Sequence, residues 1–117
     1  MEQINKIELR GNVGNVKLQT VGNNENIRFS VATNYAYKDK EGRPVIETTW
    51  HNVTAWKGKG MPDFHKIDKG TLVHVMGRLR TQKFEGNDGV EKQIYEILAN
   101  RIEIENCPEG TQPAFGI

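Results

Sequence analysis

Four aromatic residues of this chain stand among cations in a pattern that suits one chemistry. Tyr37 is followed by Lys38 and Lys40, and Phe84 shares a strand face with Arg78 and Arg80 and adjoins Lys83. Trp50 and Trp56, the only two tryptophans, lie six residues apart in Thr49-Trp50-His51-Asn52-Val53-Thr54-Ala55-Trp56-Lys57, with Lys59 just beyond. In an extended strand Trp50, Asn52, Thr54 and Trp56 point one way, and His51, Val53 and Ala55 the other. The aliphatic residues claim the buried side, which leaves two large rings on the polar face. A ring left in water gains little there, so that face is expected to meet a partner or to be covered by another part of the chain. An unpaired nucleic-acid strand is a partner that fits. Its bases stack on aromatic rings, for about 1–3 kcal/mol per base whatever the base. Its phosphates exchange condensed counterions for Lys and Arg.

Other chemistries find little footing. His51, His65 and His74 lack an H-x3-H or C-x-x-C companion, and there is one thiol, so no metal site is expected. Cys107 has no nucleophile context, no G-x-S-x-G elbow occurs, and Gly58-Lys59-Gly60 is too short for a phosphate loop. The chain reads as a binder without a cofactor and not as an enzyme. A lone cysteine excludes an intrachain disulfide and suits a reducing, cytoplasmic compartment. No apolar run of about 18 residues and no signal segment are present, so no membrane partner is expected. Net charge is only +1, but residues 1–84 carry 14 Lys/Arg against 8 Asp/Glu, and residues 85–117 carry 2 against 7. A basic body with an acidic end suits a surface that meets polyanions.

The elements that must hold these residues are strands. At 117 residues the chain accommodates one domain. Ile7 and Leu9 alternate with Lys6, Glu8 and Arg10; Gly11 to Asn15 then suggests a bulge or bend before Val16 and Leu18 resume. Ile27, Phe29, Val31 and Thr33 share a face of the second strand, which runs into a charged hairpin turning at Gly42-Arg43-Pro44. Val45 to Lys57 returns. Met61 to Lys69 is the expected short helix, with Pro62 and Asp63 in its first turn, Met61, Phe64 and Ile67 on one face, and Gly70 ending it. Leu72 to Phe84 and Gln93 to Glu105 form the last two strands around Gly86-Asn87-Asp88-Gly89. Phe29 and Phe64 are expected in the core, and Tyr35 and Tyr95 in core or sheet packing. Cys107 to Ile117 reads as a short flexible tail after a domain spanning 1–106. Five strands with one short helix between the third and fourth match an all-β, five-stranded Greek-key barrel of the oligonucleotide-binding (OB-fold) type.

The sequence resembles the bacterial single-stranded DNA-binding protein family. The resemblance rests on Asn5-Lys6-Ile7-Glu8-Leu9-Arg10-Gly11-Asn12-Val13-Gly14, Phe29-Ser30-Val31-Ala32-Thr33-Asn34 and Thr49-Trp50-His51-Asn52-Val53. Lys69-Gly70-Thr71-Leu72-Val73-His74-Val75-Met76-Gly77-Arg78-Leu79-Arg80-Thr81 completes it, with order and spacing kept over roughly residues 4–105. It implies a barrel that coats single-stranded DNA in replication, recombination and repair. The family's stacking positions map onto Tyr37, Trp50, Trp56 and Phe84, each keeping a ring. Lys38, Lys40, Lys57, Lys59, Arg78, Arg80 and Lys83 are the expected phosphate contacts. The resemblance also implies a homotetramer, in which His51 would serve subunit contacts. Family members end in an acidic tip that recruits other proteins; Pro113-Ala114-Phe115-Gly116-Ile117 carries no acidic run. The chain therefore reads as a truncated or short form, for which recruitment of repair or replication proteins is not expected. The competing reading is an accessory barrel that binds RNA or meets a protein subunit in a primosome or mobile element.

Overall fold

Apolar alternation along the chain is what the backbone follows in the computed structural model, which describes residues 2–105. Five strands form, β1 Ile7–Val21, β2 Asn24–Lys38, β3 Pro44–Trp56, β4 Leu72–Glu85 and β5 Glu91–Glu105. They close into a barrel in the order β1-β2-β3-β5-β4. All neighbours are antiparallel except β3 and β5, which run parallel through Val53↔Ile97 and Thr54↔Leu98. The all-β, five-stranded barrel expected from the sequence is the observed architecture. The expected tail at 107–117, with Cys107, lies outside the described residues.

The inward residues of each strand are those that alternation selects. Ile27, Phe29 and Val31 of β2, Val53 and Ala55 of β3, and Val73 and Val75 of β4 are buried. Phe64 and Ile67 join the same cluster, with Met61 packed against it. Two irregularities tune the closure. Between Val13 and Val16, β1 carries one residue more than β2 opposite it, the bulge expected at the glycines. In β5, Asn100 is the extra residue between Ala99↔Gly77 and Arg101↔Met76. The inward parity of β5 therefore switches, from Ile97 and Ala99 to Ile102 and Ile104. At Gly77 a side chain would run into the carbonyl of Leu98, so β4 and β5 approach this closely only because no Cβ is there.

The expected helix at Met61–Lys69 shrinks to one 3-10 turn, Phe64–Lys66. Asp63 is extended and caps it, its carboxylate accepting from the His65 N–H at 3.0 Å, and Ile67 is again extended. Asp63 and Ile67 are extended on either side of the turn, so Met61 and Ile67 reach the core from the flanking segments and only Phe64 from the turn itself. The buried face was read correctly and the helix type was not. Tyr35 and Tyr95 are a second correction. They are 68% and 61% exposed, because β2–β3 and β4–β5 extend as two-stranded ribbons past the barrel wall, where neither face is covered.

Candidate nucleic-acid interface

Strand β3 supplies the centre of the site. Its outer face carries Trp50, Asn52, Thr54 and Trp56, registered opposite Ala32, Ser30, Arg28 and Asn26 of β2. The small Ala32 and Ser30 leave room for the Trp50 indole to lean across β2 to the β1 bulge. There it lies over Gly14, where a Cβ would come within 2.6 Å of the ring. Gly14 is buried beneath it. The Asn15 N–H donates to the Ser30 Oγ at 3.0 Å and pins the bulge. Part of Trp50 is thus covered by the chain itself and the rest faces solvent.

A groove runs beside this face. Asn15, Lys17, Arg28, Ser30 and Asn52 line it from the barrel wall, and Gln82, Ile94 and Glu96 line it from the β4–β5 ribbon. A second cleft, lined by Trp50, His51, Leu79 and Tyr95, opens where β3 and β5 diverge beyond their two paired residues. Asn52, Ile94 and Glu96 border both. Trp50 is 59% exposed, Phe84 45%, Trp56 44% and Tyr37 43%, so all four expected rings are open to a ligand. They do not share one face. Phe84 alternates with Arg80 and Gln82 on the groove side of β4. Tyr37 lies on the opposite side of its ribbon from the β3 tryptophans, paired with Val45, and its ring centroid is 6.2 Å from that of Tyr35.

The cations divide similarly. Lys38, Lys40, Lys57, Lys59 and Arg78 are exposed. Lys83 is exposed too, but alternates away from the groove and lies 3.7 Å from Glu91. Arg80 is half-buried, with Nε and Nη2 each 2.6 Å from Oε1 of Glu96. Thr54 is a correction within the polar face, for it is buried, its hydroxyl donating to Oε2 of the same Glu96 at 2.8 Å. Lys17, Arg28 and Gln82 line the groove without having been singled out. Arg28 falls opposite the Phe29 face by parity, yet only the register with Thr54 brings it beside the tryptophans.

His51 is half-buried on the inner side of β3, with its Nε2 2.9 Å from the Thr33 Oγ1 of the same barrel. Removal from water lowers its pKa below the ordinary histidine value. Among the described residues no His, Cys, Asp and Glu side chains gather in a group of three that could hold a metal. No helix among the described residues is long and apolar enough to cross a membrane.

The sequence model described as "Single-strand binding protein family" matches residues 4–105. A single-stranded DNA-binding protein of Xanthomonas campestris is 38% identical over 104 residues, covering 86% of this chain and 60% of the relative. One from Neisseria meningitidis is 34% identical over 103 residues, covering 86% and 59%. The chain thus spans about three-fifths of the length of these relatives. Among solved structures, a Plasmodium falciparum SSB in complex with single-stranded DNA superposes with a TM-score of 0.70 at 29% identity, covering 90% of this chain and 96% of that one.

Proposed function

The chain belongs to the single-strand binding protein family, and we propose that it binds unpaired DNA without reading its sequence. It coats and protects single strands in replication, recombination and repair, and catalyses nothing. The observation that carries this reading is the outer face of β3. Trp50 and Trp56 are exposed on either side of Asn52 and Thr54, which line a groove with Lys17 and Arg28, and Lys57 and Lys59 lie beyond. Trp50, Trp56 and Phe84 are the stacking rings, on the strand faces whose Asn52, Thr54 and Gln82 line that groove, and Tyr37 is a stacking ring on the ribbon beyond it. Each stacked base contributes about 1–3 kcal/mol without regard to its identity. Exposed lysines and arginines add an attraction that weakens with salt, since each phosphate neutralised on a single strand contributes about −0.7 to the slope of log K against log salt.

Tryptophan fluorescence titrated with an oligo-dT at low and high salt tests the proposal. Quenching with an affinity that falls steeply with salt is expected. No quenching and no binding at low salt would sink it and favour the protein-interaction barrel. Tighter binding to the matching oligo-U would favour the RNA reading. The proposal extends to self-assembly as a homotetramer, with His51 as one contact. Its support is β1, whose residues Val16–Val21 pair with β2 alone among the described residues. Sedimentation of the DNA-free protein should give the mass of four chains, reduced by His51→Ala; the mass of a single chain would exclude it.

A further inference from the structure

Glu96 is a buried carboxylate, 6% exposed, at the edge of a groove proposed to receive a polyanion. A negative charge there works against phosphate binding, and a carboxylate taken out of water is costly unless it is fully paired. It is paired, and by two different elements. Oε1 accepts from Nε and Nη2 of Arg80 on β4, both at 2.6 Å, and Oε2 accepts from the Thr54 hydroxyl on β3 at 2.8 Å. The backbone ladder between β3 and β5 consists of Val53↔Ile97 and Thr54↔Leu98 alone. The Glu96–Thr54 bond continues the tie one residue further along β5, where the two strands diverge and the β4–β5 ribbon begins. Two positions beyond Arg80 comes Gln82, and two beyond that Phe84, all on one side of β4.

We propose that Glu96 is a positioning residue, a clasp that holds the β4–β5 ribbon against β3 so that Phe84 and the β3 tryptophans engage one strand together. The clasp also withholds Arg80 from the phosphate chain. This reassigns Arg80 from phosphate contact to strut, and it rests on the reading of the site as a single-strand binder. A guanidinium suits the role, because Nε and Nη2 of its planar group converge on the one oxygen that Thr54 leaves free and fix direction as well as charge. Thr54 serves as the anchor on the β3 side, which accounts for a buried hydroxyl between two exposed rings.

The test is a coupling measurement with an oligo-dT of about 16 nucleotides, the upper end of what one such barrel covers. In the native background Phe84→Ala should weaken binding about tenfold. In Thr54→Val, which removes the side-chain tie from Glu96 to β3 and keeps the Arg80 pair, Phe84→Ala should cost less than about threefold, because residues acting through one network are not additive. The salt slope of Glu96→Gln should steepen by about 0.7, one more cation being free to meet phosphate. A full tenfold cost in Thr54→Val would overturn the clasp, and an unchanged slope in Glu96→Gln would overturn the withholding of Arg80, whatever happened to the melting temperature. Should Thr54→Val fail to fold, Thr54→Ala removes the same hydroxyl with a smaller side chain. Phe84→Ala should then again cost less than about threefold, and a tenfold cost overturns the proposal. Failure of the native protein to bind oligo-dT would instead overturn the functional reading beneath it.

Discussion

Strand β3 at Trp50–Trp56 and the two projecting ribbons carry the same kind of side chain on different supports. Along its lower half β3 has β2 on one side and β5 on the other, and its inward residues Val53 and Ala55 are anchored in the core. Tyr37 and Phe84 sit on ribbons whose outer pairs touch only each other, Tyr37↔Val45 and Phe84↔Lys92. A ring on the wall is already oriented before DNA arrives; a ring on a ribbon must lose freedom on binding, which subtracts from what stacking returns. Wall and ribbon should therefore differ in energetic yield although both present exposed aromatics.

The wall itself can be broken from inside. Phe64 is buried in the barrel core from outside the sheet, on the single 3-10 turn. Phe64→Ala should cost about 3–5 kcal/mol of unfolding free energy in urea. A loss below about 1 kcal/mol would mean that the wall stands without that turn, and that its rigidity has another source. The next effect compares rings directly. Trp56→Ala should weaken oligo-dT binding by about 1–3 kcal/mol with the fold intact, and Tyr37→Ala by no more than the lower end of that range. Equal losses would show the ribbon to be as well ordered as the wall. Unfolding by Trp56→Ala would show a core residue instead.

Much of the wall was legible from alternation, because one face of each strand meets the core and period two reports it. The exposed tryptophans and the succession of five strands follow from that signal, and the glycines mark the bulge near Gly14. The ribbons were less legible for the same reason: beyond the barrel no face is buried, so Tyr35 and Tyr95 alternate without indicating any environment. Asn100 hides another parity switch, since an unpaired residue leaves no compositional mark. Glu96 was invisible as a site residue. A lone acid in a strand reads as solvated surface, and only the fold brings Arg80 and Thr54 to it.

Gly14 connects the two kinds of legibility. The sequence marks it as a bend, and the structure adds that the Trp50 ring rests on it. Gly14→Ala should push the indole from its position and weaken binding by about 0.5–1.5 kcal/mol, the range for a side chain forced about 30° off its rotamer. A shift in the tryptophan emission of the free protein should accompany the loss. Unchanged emission and affinity would show that Trp50 is not held by its bed on β1, and would move it to the ribbon side of the comparison.

The smallest effect separates wall from ribbon by pH. His51 lies behind Trp50 on β3, bonded to Thr33 of β2, and its lowered pKa follows from burial. In the unfolded chain a histidine takes up its proton near pH 6.5. Between that value and the lower folded one, the unfolded state binds more protons, so stability falls as pH drops through this window and levels off below it. Above pH 6.5 the neutral ring is common to both states and the contribution is fully present. Urea unfolding of the native protein and His51→Gln should therefore diverge in slope only on the acid side, with the native protein losing more. Protonation places a charge on the residue next to Trp50, so fluorescence from Trp50 should follow the same acid window. Parallel slopes for the two proteins would mean that the ring is as well solvated folded as unfolded, and that this part of β3 is no more closed than a ribbon.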